Sequence, residues 1–356
     1  DVERSRGLGD VYKRQISFTV SRRMRIPSFW AEATISQQHD GKSVVIRRYG
    51  WSDTGEPEAK ALAQARAEEA AAQLAAGESV VRREPRKGYG GADGTPIREE
   101  IIEQRGDSVL TRNSYGAVCL NTPDVLFVDI DDESFEPPVL GNASLWTAGI
   151  VMAVLVGVSV NMQYSPHGWL LAALILCATA FVGLRRGREG EAAGRQRKGA
   201  ALERVRRQID SFIAAHPDWL LRLYQTPGGL RLMATHRTFA PDDAEAQACF
   251  ETFQADPIYV RMCLSQRCFR ARVSAKPWRM GLRRGLPQAQ SHWPVAPAQR
   301  QAREQWVADY DAKAQRYAAC HFIEAFGSGT AHPRALAVQD WHDSLCRAER
   351  KNLPLA

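Results

Sequence analysis

Between Pro257 and Arg303 the chain has no Asp or Glu, although 40 of its 356 residues are acidic. The same window holds ten Arg and Lys residues, so it cannot neutralise itself. Cysteine is sparse: seven, an odd number scattered along the chain, exclude the dense disulfide framework of a small stapled domain. Reduced thiols are expected. Nucleotide-binding fingerprints are missing as well, since the glycine-rich run Gly88 to Gly94 fits neither the Walker nor the dinucleotide spacing. That run reads as a surface loop before a helical stretch from Pro96 to Gln104. The opening residues lack the apolar core of a signal peptide. Residues 1–23 are therefore read as a non-native or disordered leader, with the protein starting at or near Met24.

Charge is absent from Leu145 to Leu184, where two apolar runs, Leu145 to Val160 and Trp169 to Leu184, flank an uncharged loop. A hydrocarbon core of roughly 30 Å takes about 20 residues of helix, so a two-helix transmembrane hairpin over residues 142–184 is expected. The competing expectation is a buried helical hairpin. Arg185, Arg186 and Arg188 open a basic linker at 185–198, and the positive-inside rule puts that end on the cytoplasmic side. Both termini would then be cytoplasmic, on an inner or cytoplasmic membrane, with the lipid bilayer as a partner.

What is present around this insert predicts an α+β cytoplasmic body. Residues 24–141 read as a ββα unit followed by strands, and residues 199–356 as an α+β region completing the body. Strands are expected at Phe29 to Ile35 and Ser43 to Tyr49 around the turn His39 to Lys42, then an alanine-rich helix to about Ala76. A hairpin follows the insert, with Thr226-Pro227-Gly228-Gly229 suited to a type II turn. Gln299 to Phe326 and Ala335 to Arg350 read as helices.

The candidate chemistry is acidic on one side and basic on the other. The apolar strand from Val125 ends in Asp129 and Asp131, which two-residue periodicity puts on one face. Paired carboxylates repel unless a cation lies between them, and Mg²⁺ prefers oxygen ligands. A solvated acidic strand end is the plainer alternative. In FRARVSAK, Arg270 and Arg272 share one face and Phe269, Ala271 and Val273 the other, a half-buried strand offering cations to phosphate. Interleaved aromatics could stack on bases, whereas anionic lipid would need only the charge. Cys320, His321, His332, His342 and Cys346 are irregularly spaced, and zinc needs four converging ligands, so core and surface positions are expected for them.

Three pieces, LFVDIDDE at Leu126 to Glu133, TPGGLRL at Thr226 to Leu232 and FRARVSAKPWR at Phe269 to Arg279, together resemble the archaeo-eukaryotic primase and primase-polymerase superfamily. The resemblance implies that Asp129 and Asp131 are catalytic residues binding a divalent metal, Mg²⁺. It implies that Arg231, Arg270, Arg272, Lys276 and Arg279 hold nucleotide phosphates. The family's second motif carries a His where Arg231 stands here, and His236 falls five residues later on the opposite strand face. A third carboxylate would have to come from Asp242 or Asp243.

Two functions follow. The first is a membrane-anchored protein binding a nucleotide or nucleic acid, as a divergent primase-polymerase-like, metal-dependent nucleotidyl transferase. The second is a non-enzymatic membrane-surface module whose basic segments contact anionic lipid. The first requires Asp129 and Asp131 to face Arg270 and Arg272 across one cleft.

Overall fold

The computed structural model describes residues 24, 26–39, 41–84, 95–135, 153, 157, 168–282 and 285–356. Among them the chain forms, in order, β1 (Phe29–His39), β2 (Lys42–Ser52), α1 (Glu56–Ala75), β3 (Glu100–Arg105), β4 (Ser108–Arg112), β5 (Val118–Thr122) and β6 (Phe127–Asp131). Then come α2 (Gly168–Ala215), β7 (Leu221–Thr226), β8 (Gly229–Ala234), α3 (Ala244–Thr252), α4 (Pro257–Gln266), β9 (Phe269–Arg272), α5 (Arg300–Ala314), β10 (His321–Phe326) and α6 (Pro333–Cys346). The arrangement is α+β.

The ββα unit forms as its pattern requires. β1 and β2 pair antiparallel from Phe29↔Ser52 to His39↔Lys42. α1 turns an alanine face to them, with Ala59, Ala63 and Ala67 fully buried. Small side chains let the helix lie close. A Cβ at Gly50 would come within 2.1 Å of the Ala59 carbonyl oxygen.

Two four-stranded antiparallel sheets form the rest, in the orders β3-β4-β5-β9 and β10-β7-β8-β6. Each joins strands from both sides of the 136–167 segment: β5 pairs with β9, and β6 with β8. The two halves therefore close into one body. Leu120, Phe127, Leu223, Leu232 and Phe269 share one apolar core with Val205, Ile209 and Phe212 of α2 and Val338 of α6. The spacing of those three α2 residues is the one-sided stripe that an amphipathic helix presents.

The membrane hairpin is corrected by the structure. Among the described residues, no helix is long and apolar enough to cross a membrane. The run Trp169 to Leu184 is not a separate span but the first third of α2, a 48-residue helix continuing through the arginine-rich segment expected as a linker. An uncharged helical run of that length rises about 24 Å, short of the roughly 30 Å required, before Arg185 and Arg186 begin the charged part. The run Leu145 to Val160 lies outside the described residues except for positions 153 and 157, as do residues 1–23 and Gly88 to Gly94. The inner-membrane localisation and the two cytoplasmic termini rested on that hairpin and fall with it.

Two local expectations also change. The segment expected as helical from Pro96 is extended, because Ile101 and Ile102 enter β3 and Gly106, at a φ of 57°, turns the chain into β4. The long helix expected to reach Phe326 stops at Ala314. Beyond it, Ala318 and Ala319 donate their N–H groups to the Pro354 and Cys346 carbonyls, and β10 then pairs with β7. Long-range pairing outweighs the local helical pattern there.

Candidate phosphate-binding cleft

Asp129 stands opposite Arg231 in the β6–β8 ladder. Arg231 donates from Nε to Asp129 Oδ1 at 2.6 Å and from Nη2 to Oδ2 at 3.1 Å. Its Nη1 reaches the Arg272 carbonyl on β9 at 3.1 Å, so one guanidinium ties the acidic strand to the basic one. Arg231 is buried. Burial alone would discourage its charge, but Asp129 outweighs that and raises its pKa above the ordinary arginine value. Arg231, expected to hold phosphate, is therefore the partner of a carboxylate.

The turn between β7 and β8 closes one end of the cleft. A Cβ at Gly229 would lie 2.0 Å from the Ile130 carbonyl oxygen, so β6 and the turn meet only because that residue is glycine. Gly228 does not take the positive φ of the expected type II turn. Its Cα hydrogens instead face charged groups: a Cβ there would be 3.6 Å from Arg279 Nη2 and 3.9 Å from Asp131 Oδ1.

A third carboxylate enters from α4. Asp256 caps that helix, accepting from the Ile258 and Tyr259 N–H groups at 3.0 and 3.3 Å, and its own N–H donates to the Asp129 carbonyl at 3.1 Å. The Tyr259 hydroxyl donates to the Phe127 carbonyl at 3.0 Å, fixing α4 along β6. Asp-Pro is a readable helix start, although the basic run that follows it is the more conspicuous feature of the sequence there. Asp242 and Asp243 serve elsewhere: Asp242 pairs with Arg267, and Asp243 precedes α3 near Arg237.

β9 supplies the opposite wall. Phe269 and Ala271 are buried in the core while Arg270 and Arg272 share the other face, as expected. Arg270 is committed to Glu99, with Nη2 at 2.7 and 2.6 Å from its two oxygens. The Arg272 Nη1 donates to the Ser274 carbonyl at 2.8 Å. Lys276 leads into a short 3₁₀ turn, Pro277–Met280, that carries Arg279. Burial, together with Arg272 and Arg279, pulls the Lys276 pKa below the ordinary lysine value, against the pull of Asp131 and Asp129. Tyr115 also lines the cleft and packs on Trp278, ring centres 5.3 Å apart. The cleft encloses about 900 Å³ counting its open mouth.

The expected residues Asp129, Asp131, Arg231, Arg270, Arg272, Lys276 and Arg279 thus all line one cleft. His236 does not. It packs on Trp219 and Phe239, with centroids 4.5 and 5.4 Å away, past the far end of β8. Both Asp129 oxygens accept from Arg231, which offsets the negative charge that a Mg²⁺ ion beside Asp131 would draw on. The cation between these carboxylates and the core is a guanidinium.

Behind Arg231 the scattered cysteines and histidines come together. Cys320 precedes β10, and His342 and Cys346 lie one turn apart on α6; all three are fully buried. The His342 Nε2 lies 3.9 Å from Cys320 Sγ, 3.5 Å from Cys346 Sγ and 3.4 Å from Arg231 Nη1. The four-residue spacing of His342 and Cys346 puts them one helical turn apart in sequence, but the helical pattern through Phe326 hides the arrival of Cys320 beside them. Compared with family models, curated proteins and solved structures, the chain gives no match in any of the three.

Proposed function

We propose that the cleft between β6 and β9 binds the phosphates of a nucleotide or of a nucleic-acid strand. The observation that carries this reading is the convergence of Arg272 and Arg279 on the partly buried Lys276 ammonium within one cleft. Two carboxylates oppose these cations, and one of them, Asp129, is already satisfied by Arg231. An anion placed among the three relieves their mutual repulsion, and phosphate oxygens accept well from guanidinium and ammonium donors. Tyr115 and the half-exposed Trp278 offer flat surfaces of the kind on which bases stack.

Binding is favoured over nucleotidyl transfer. Metal-assisted transfer draws on uncompensated carboxylate charge, and the charge of Asp129 is offset by Arg231. On this reading the chain resembles a primase-polymerase whose metal-binding aspartate is neutralised by Arg231. A lipid-facing role for the basic strand has less support, because Arg270 is 11% exposed and paired, and the remaining cations line a concave cleft.

Titration of the full chain with a fluorescent nucleoside triphosphate tests the reading. Saturable binding is expected, weakened about 10- to 100-fold in Lys276→Ala or Arg279→Ala, the range set by a lost hydrogen bond to a charged group. Unchanged affinity in both variants would overturn it.

A further inference from the structure

The Cys320, His342 and Cys346 side chains converge with their ligand atoms all within 4.8 Å of one another. Around a tetrahedral zinc, with bonds of about 2.3 Å to sulfur and about 2.0 Å to nitrogen, neighbouring sulfur and nitrogen ligands stand roughly 3.5 Å apart. The sulfur-to-Nε2 separations of 3.5 and 3.9 Å lie close to that edge.

The ring is also held as a metal ligand is held. The His342 Nδ1 lies 2.8 Å from Asp343 Oδ1, and since an ionised carboxylate only accepts, the proton sits on Nδ1 and Nε2 faces the sulfurs. Arg222 donates to the other Asp343 oxygen at 2.9 Å, which fixes the carboxylate. A carboxylate behind the second ring nitrogen is the usual support of a zinc-bound histidine. The rings of Phe127 and Tyr224 pack against His342 at 5.2 and 5.0 Å, shutting out solvent.

We propose that Cys320, His342 and Cys346 bind one zinc ion, or an equally thiophilic divalent ion, as a structural centre behind the cleft. Two thiolates and Zn²⁺ sum to zero charge, so the ion can lie beside Arg231 without opposing its pairing with Asp129. Three protein ligands leave the fourth position to a single water enclosed with the ion, since a guanidinium has no lone pair to give. The site ties the end of α6 to the residue preceding β10, reinforcing the backbone hydrogen bonds from Ala319 to Cys346 and from Phe322 to Ala348.

The test is the zinc content of the full chain, expressed with zinc in the medium and purified under reducing conditions without chelator. About one zinc per chain is expected, lost in Cys320→Ala and in Cys346→Ala and kept in Cys177→Ser. Because a core cysteine variant can fail to fold, the unaltered chain is also stripped and reloaded with Co²⁺, where thiolate-to-cobalt charge-transfer absorption is expected. A zinc-free chain that takes up no Co²⁺ with that absorption would overturn the proposal, as would zinc that survives both cysteine substitutions in folded protein.

Discussion

Arg231 grips Asp129 through two parallel hydrogen bonds across the β6–β8 ladder, and the two members of this pair are unequally buried, 3% and 30% exposed. Their removal should therefore be unequal too. Asp129→Ala strands a buried guanidinium and is expected to cost about 3–5 kcal/mol, the range for breaking a buried pair. Arg231→Met leaves a carboxylate that can still reach water, and a smaller loss is expected. Urea denaturation of the two variants checks the order; equal losses would contradict the asymmetry.

The same pair predicts a gain. With Arg231→Met, both Asp129 oxygens lose their guanidinium donors beside Asp131 on the same strand face, an arrangement that draws a divalent ion more strongly. Calorimetric titration with Mg²⁺ should then give binding where the unaltered chain gives none.

Arg270 and Lys276 lie six residues apart and line the same cleft, but their substitution should register in different measurements. Arg270 is enclosed and bonded to Glu99, so Arg270→Ala is expected to lower stability by several kcal/mol. Lys276→Ala removes a crowded cation and is expected to leave stability unchanged or improved while weakening nucleotide binding. Parallel denaturation and binding curves separate the two.

The depressed Lys276 pKa fixes the sign of a pH effect. In the window between the lowered folded value and the ordinary value of about 10.4, the unfolded chain binds more protons than the folded one. Stability from this group therefore rises with pH through that window. Nucleotide affinity moves oppositely, because bound phosphate restores the lysine proton, so binding should weaken as pH rises below the point where an exposed lysine titrates. Affinity measured over the alkaline range below the ordinary lysine value should show this slope, and Lys276→Arg should remove it.

Gly50 tests the ββα unit separately. A Cβ there meets the Ala59 carbonyl at 2.1 Å and the Ala63 nitrogen at 2.2 Å, both backbone atoms of α1. Gly50→Ala is expected to destabilise by about 1–3 kcal/mol, the range for overpacking, with nucleotide affinity unaltered in the folded fraction.

Much of the cleft was legible because its residues obey two-residue periodicity. Asp129 with Asp131 and Arg270 with Arg272 could be assigned to faces from alternation alone. What alternation cannot give is the partner strand, and so the neutralisation of Asp129 by Arg231 was hidden until β6 and β8 were paired. Asp256 was missed for a different reason, since its helix-capping role lies in one residue beside a conspicuous basic run. The strand β10 was hidden by a helix-like pattern that pairing with β7 overrides, and the convergence of Cys320 with His342 and Cys346 was hidden with it. The hairpin is not legible as such because its two runs reach membrane length only when lengthened into uncharged flanking residues, whereas α2 is one helix whose uncharged portion ends after about 24 Å.

Nucleotide binding measured in Mg²⁺ and again in chelator tests the central claim most directly, that fixed cations of the cleft, with no bridging metal, hold the phosphates. Affinity is predicted to persist in chelator, within about threefold, and Asp131→Asn is predicted to preserve or strengthen it. Binding that requires Mg²⁺ and disappears in Asp131→Asn would contradict the account.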